Sequence, residues 1–206
     1  KHPNAKCLNS KVDRTIIYDT NYLEDEPCFK NEYFSPVLST VSIPADAPSD
    51  FLRAAVKFVN EKLNGTLGAN IIIDPVTANK NNIELDKAIS DLKYGSVGVN
   101  TWCALAFLAA GGAWGAYPGH TYDNIQSGIG VVHNAFLFDK TQKTVATGPF
   151  RNFPRSLLHG ELHVAPKPPW FITNKTALTT AKRLTYYAKN NNALALPGIF
   201  ASALRG

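Results

Sequence analysis

Between Pro36 and Asn100, strand-like and helix-like patterns alternate with almost no residues to spare, and this alternation constrains the fold more than any other feature. "PVLSTVSI" (36–43) alternates as a strand does. "DAPSDFLRAAVKFVNEKLNG" follows, with Leu52, Ala55, Val56, Val59 and Leu63 at helical spacing, Ser49 or Asp50 as N-cap and Gly65 as stop. "GANIIID" (68–74) is a short β-branched run of the kind buried on both faces of a sheet. "IELDKAISDLKYG" puts Leu85, Ala88, Ile89 and Leu92 on one helical side, and "SVGVN" (96–100) is a strand again. This βαβαβ order predicts an α/β fold, an open and mainly parallel sheet with helices on its faces. Right-handed crossovers would bring the carboxyl ends of strands 37–43, 69–74 and 96–100 to one edge, where such sheets bind ligands. Asn100 closes the third strand at that edge.

Beyond Asn100 lies a loop rich in apolar residues and glycine. "TYDNIQS" then reads as a short helix stopped by Gly128, and "IGVVHNAFLF" as a further strand. "GPFRNFPRS" and "APKPPWF" are loops punctuated by proline. "NKTALTTAKRLTYYAKN" is a helix, expected to turn Ala177, Ala181, Leu184 and Ala188 inward and Lys175, Lys182 and Lys189 outward. The C-terminal segment is expected to dock through Trp170, Phe171 and that inward side together. The division expected is a catalytic-type region over 1–135 and a basic C-terminal extension, 136–206, packed on it.

At 206 residues, 45% apolar and 18% charged, the chain has the composition of a folded globular protein. "WCALAFLAAGGAWGAY" (102–117) falls short of the ~20 residues that a membrane span needs and holds three glycines. Cys7, Cys28 and Cys103 form no paired spacing, which suits a reducing compartment, and the cytoplasm is the expected location. No acidic residue follows Glu161, whereas Lys167, Lys175, Lys182, Arg183, Lys189 and Arg205 do. A basic tail of that kind can meet phosphates, but it also suits a solvated face or an acidic partner. No nucleic-acid motif accompanies it, and neither nucleic acid nor membrane is expected as a partner. The chain begins with lysine and contains no methionine, which reads as a fragment or processed product whose missing part carries chemistry of its own.

The motif "EYFSPV", Glu32 to Val37, followed by helix, "TLGANIIID", helix, "GSVGVN" and "AWGAYPGHTYDNIQSG", resembles the C-terminal part of the aldehyde dehydrogenase catalytic domain. The likeness covers roughly residues 25 to 135, about half of the chain, with the spacing between motifs maintained. It implies an NAD- or NADP-dependent oxidoreductase that converts an aldehyde to an acid through a cysteine thiohemiacetal. By the same resemblance Glu32 would accept hydrogen bonds from the nicotinamide ribose hydroxyls, and Phe34 would lie against the nicotinamide. A carboxylate is an acceptor-only group able to take both hydroxyls, and a flat ring can stack. Trp102, Phe107 and Trp114 would line the mouth of the aldehyde tunnel, although each also suits core packing. Ser35, Ala113 and Ala116 depart from the family pattern, which leaves the loop path and the substrate open.

The resemblance implies no catalytic residue within this chain. The family nucleophile lies further upstream of the glutamate than these residues extend, and Cys103 in "TWCALAF" reads as a buried, inert thiol. No G-x-G-x-x-G fingerprint follows a strand. The chain is therefore expected to be inactive and without cofactor by itself. Its partner would be the missing N-terminal dinucleotide-binding part, within a homo-oligomeric parent. Two other readings stand beside this one. One is a non-catalytic assembly or regulatory module of the same fold. The other is a metal site at His159, Glu161 and His163 in "LHGELHV", spaced to share one face if the segment is a strand. The expectation there is a polar solvent face with no metal.

Overall fold

The computed structural model describes residues 2–8, 13–163 and 167–206. The chain divides into two units, Lys1–Ala146 and Thr147–Gly206. The first contains β1 (Ala5–Leu8), β2 (Arg14–Ile17), α1 (Pro27–Lys30), β3 (Val37–Ser39), α2 (Pro48–Lys62), β4 (Gly68–Ile71), α3 (Pro75–Lys80), α4 (Asn82–Asp91) and β5 (Ser96–Val99). A 3-10 helix, Cys103–Leu108, then leads to β6 (Ala113–Gly115), β7 (Val131–His133) and β8 (Thr144–Thr147), which ends at the unit boundary. The architecture is α/β, with small sheets rather than one extensive one.

The core of this unit forms where the sequence alternates most regularly. Val97 of β5 is 0% exposed and clusters with Leu92 and Tyr94. Val56 and Val59 of α2 and Ala69 and Ile71 of β4 pack against that cluster. Burying the Val97 side chain fully is worth roughly 1.5–3 kcal/mol, and the partly buried Val56 and Val59 bring α2 against it. Helix α2 starts with Pro48 at its first turn, one or two residues before the expected cap at Ser49 or Asp50. Proline is at home there because it lacks the N–H that would otherwise be unpaired.

Strands β4 and β5 pair in parallel, Gly68 with Ser96 through Ile71 with Val99, as the alternation predicts. The third expected partner does not join them. β3 pairs in parallel with β2, Thr15 with Val37 through Ile17 with Ser39, in a separate sheet of order β1-β2-β3. The reason is backbone hydrogen bonding. Thr15 N–H donates to Pro36 C=O (2.9 Å) and Thr40 N–H to Ile17 C=O (2.9 Å), so β2, unforeseen in the sequence, takes the β3 edge. β8 occupies the other side of β5, which leaves β4 as an edge strand. Consequently β5 is the strand buried along its whole length, while β4 is half-exposed and ends at Ile71.

Past Asn100 the structure departs further from expectation. "TYDNIQS" is not a helix; it is a turn with an isolated bridge between Thr121 and Asn124. The strand expected over 129–138 shrinks to β7, which pairs antiparallel with β6, a strand inside the expected loop.

The second unit holds α5 (Arg155–Leu158), α6 (Ala177–Asn190), a 3-10 turn at Ala193–Ala195 and α7 (Leu196–Ala203). Here α6 does not bury the face that the sequence singles out. Ala181, Leu184 and Ala188 are exposed. The buried side runs through Thr176, Thr180 and Tyr187, with Arg183 on the same stripe, because α7 lies there. Thr176 Oγ1 donates to Ser202 C=O (2.6 Å), and Arg183 donates to Gly198 C=O. Two polar anchors thus orient the helix where the alanine pattern does not. Trp170 remains 56% exposed, in a loop closed by Asn174, whose side chain donates to Lys167 C=O (2.9 Å). Among the described residues no helix is long and apolar enough to cross a membrane.

Candidate functional site

The turn at Gly65 and Thr66, between α2 and β4, organises the neighbourhood of Glu32. Gly65 N–H donates to Gln126 Oε1 (3.0 Å), and Thr66 N–H donates to Ser127 Oγ (2.8 Å). Tyr117 N–H donates to Thr66 C=O (3.1 Å), and Thr66 Oγ1 lies 2.5 Å from His120 Nε2. Four contacts to one turn fix the loop 117–128 at both ends. On the other side, Asn64 N–H donates to Phe29 C=O (2.9 Å) and Asn64 Nδ2 to Lys30 C=O (3.1 Å), which draws α1 to the same turn.

The outcome is an open cleft of about 460 Å³ lined by Cys28, Asn31, Glu32, Asn64, Gln126 and Ser127, among others. Glu32 is exposed at its rim. The lining offers one carboxylate, three amides and a hydroxyl, a set that suits hydroxyl-bearing ligands. Phe34 does not line this cleft. It is 91% exposed, and its backbone lies in the left-handed region (φ 42°), where a bulky residue is uncommon. Of the two residues that the sequence joined as a cofactor pair, Glu32 lines the cleft and Phe34 does not. Asn31, Asn64, Gln126 and Ser127 went unnoticed in the sequence. Their signals were the "LNG" and "QSG" turns, which say where the chain bends and not what each bend faces.

The three aromatics proposed as tunnel-lining have unequal fates. Phe107 and Trp114 meet edge to face, with ring centroids 5.7 Å apart, and His133 lies against Phe107 at 5.1 Å. Antiparallel pairing of β6 with β7 brings this trio together. Trp102 is partly exposed, just ahead of the 3-10 helix. Cys103 is buried, and its N–H donates to Asn70 Oδ1 (2.8 Å). Burial pushes its thiol above the ordinary value, against the opposing pull of hydrogen bonds from Asn70 and nearby backbone. A thiol held protonated in this way is a poor nucleophile.

The segment 159–163 is not a strand. His159 caps the end of α5, with its N–H on Ser156 C=O (3.1 Å). Glu161 turns to Arg151 Nη1 (2.9 Å) and to the N–H of Phe150 (2.5 Å). Among the described residues no group of three or more His, Cys, Asp or Glu side chains is arranged to hold a metal ion. Comparison with known protein-family models, curated proteins and solved structures finds no match to the chain.

Proposed function

We propose that this chain is the C-terminal, ribose-gripping part of an NAD(P)-dependent aldehyde dehydrogenase-like oxidoreductase. The observation that carries the reading is the cleft shared by Glu32 and the 117–128 loop. Two segments of the family-like pattern, far apart in sequence, border one polar recess. The lining fits a ribose in kind, since the Glu32 carboxylate accepts hydrogen bonds and the amides of Asn31, Asn64 and Gln126 both donate and accept. A nicotinamide bound there would supply hydride acceptance. The residues of this chain would hold the sugar and fix its orientation. In this reading the thiolate nucleophile and the dinucleotide fold belong to sequence outside these residues, and the 206-residue chain by itself oxidises no aldehyde.

The position of Phe34 favours a second reading, a non-catalytic module of the same kind, because the ring that the resemblance sets against the nicotinamide is 91% exposed and does not line the cleft of Glu32. Titration of the intact parent protein with NAD and NADP, followed by intrinsic fluorescence or calorimetry, separates the two. Saturable binding weakened by Glu32→Gln supports the oxidoreductase. No binding of either dinucleotide leaves the module.

A further inference from the structure

The packed side of α6 leaves the opposite side open, and that side has a definite composition. Lys175, Leu178, Lys182, Tyr186 and Lys189 follow one another at steps of three, four, four and three residues, which places them on a single stripe of the helix and its first approach. All five are exposed, Leu178 at 69%. Thr176, Thr180, Arg183 and Tyr187, which face α7, lie on the other side. None of the ion pairs among the described residues involves the three lysines. No acidic residue exists between Lys167 and Gly206 to neutralise them.

We propose that this outward stripe of α6 is a contact surface for the anionic headgroup layer of a lipid membrane. It departs from the sequence expectation of no membrane partner, and it concerns surface contact rather than spanning. The uncompensated lysines supply charge complementarity to acidic headgroups. Leu178 and Tyr186, standing between them, supply apolar and amphipathic groups at the depth of the headgroup–acyl boundary, and lysine stems can extend around them. Ile172, fully exposed in the loop before the helix, adds a further aliphatic group. A nucleic-acid surface would have less use for this set. Leucine and isoleucine gain nothing from phosphates, and the stripe contains no arginine for bidentate phosphate contacts, Arg183 being engaged by Gly198 on the packed side.

The test is co-sedimentation of the whole 206-residue chain with vesicles of phosphatidylcholine alone and of phosphatidylcholine mixed with phosphatidylserine. The expected result is partition to the mixed vesicles only, weakening as salt is raised. Each lysine changed to glutamine should reduce partition about fivefold, and the Lys175→Gln, Lys182→Gln, Lys189→Gln triple variant roughly a hundredfold. Leu178→Ser with Tyr186→Ser should also weaken it at unchanged charge. At matched ionic strength inorganic phosphate should not compete. Equal binding to both vesicle types, binding to neither, or a triple variant that sediments like the parent overturns the proposal. So does a serine double variant that binds undiminished, since the surface would then be a general polyanion site, and so does competition by inorganic phosphate. Circular dichroism checks that helicity is retained; if the triple variant loses it, the fivefold drop for Lys182→Gln alone decides.

Discussion

Asn100 holds both backbone polar groups of Ile73. Its Oδ1 accepts from Ile73 N–H (2.8 Å), and its Nδ2 donates to Ile73 C=O (2.8 Å). Asn100 itself sits at φ 55°, a left-handed conformation that asparagine tolerates better than most residues. The side chain thus continues the β4–β5 pairing just beyond the last strand residues, Ile71 and Val99, at the carboxyl ends of both strands. Asn100→Ala should lower the unfolding free energy by about 2–4 kcal/mol, from two lost hydrogen bonds and the strained backbone together. Asn100→Asp, which retains only the acceptor, should fall between the parent and the alanine variant. Chemical denaturation of the three proteins checks the order.

Gly95 stands where two backbones nearly touch. A Cβ on it would lie 1.9 Å from Gly115 C=O oxygen, a main-chain atom that cannot rotate away. Gly95→Ala should therefore cost about 3 kcal/mol or more, at or beyond the upper end of ordinary overpacking. It should also loosen β6, which amide hydrogen exchange at Ala113–Gly115 would detect. Exchange there at the parental rate would show that the close approach is relieved cheaply.

Local patterning made the interior of the first unit legible. Val56, Val59, Ala69, Ile71, Leu92 and Val97 all fall where helical and strand periodicity place buried residues. What the pattern could not reveal was which strand pairs with which. A three-residue β3 carries too little apolar contrast to prefer β4 over β2, and the decision was made by backbone groups of Thr15, Ile17, Pro36 and Thr40. Polar anchoring was equally hidden. Lys143 donates to the C=O groups of Ile89, Ser90 and Leu92 and so closes the end of α4 from far along the chain. In α6, likewise, Thr176 and Arg183 overrode an alanine stripe with little hydrophobic area to defend. The Glu32 cleft was half legible: the carboxylate stood out beside its motif, whereas its amide neighbours depend on loop contacts at Thr66.

The Glu161–Arg151 pair gives the second unit a defined response to acid. Burial alone would raise the carboxyl, but the Arg151 side chain and the N–H groups of Phe150 and Arg151 outweigh it and hold it below the ordinary value. A carboxyl depressed on folding contributes stability above its unfolded pKa of about 4.3, and the contribution disappears as pH falls through the lower folded value. Residues near Arg151 and α5 should therefore exchange amide protons faster, relative to the rest of the unit, as pH drops below about 4 once intrinsic rates are corrected. In Glu161→Gln that acid-dependent step should vanish, while protection at neutral pH should already be reduced. A variant as protected as the parent at neutral pH would make the pair a surface contact of no consequence.

Glu32 carries the most consequential prediction because the proposed function rests on it. On the proposed reading, Glu32→Gln in the intact parent protein retains shape and volume but replaces a charged acceptor with a neutral amide. The charge-assisted bonds proposed to hold ribose hydroxyls would weaken, and hydrogen bonds of that kind are worth roughly 1.5–3 kcal/mol each. Losing the equivalent of one should lower turnover at saturating aldehyde about tenfold or more. Stability should barely move, since Glu32 is exposed and no hydrogen bond tethers it among the described residues. A parallel change at Asn64 behaves differently. Asn64 Nδ2 holds Lys30 C=O, so Asn64→Ala should disturb the position of α1 and lower both stability and cofactor affinity. Steady-state kinetics and thermal denaturation of both variants give the comparison. If Glu32→Gln matches the parent in turnover and in dinucleotide affinity, the carboxylate is a surface charge beside a turn, and the ribose-gripping role is lost with it.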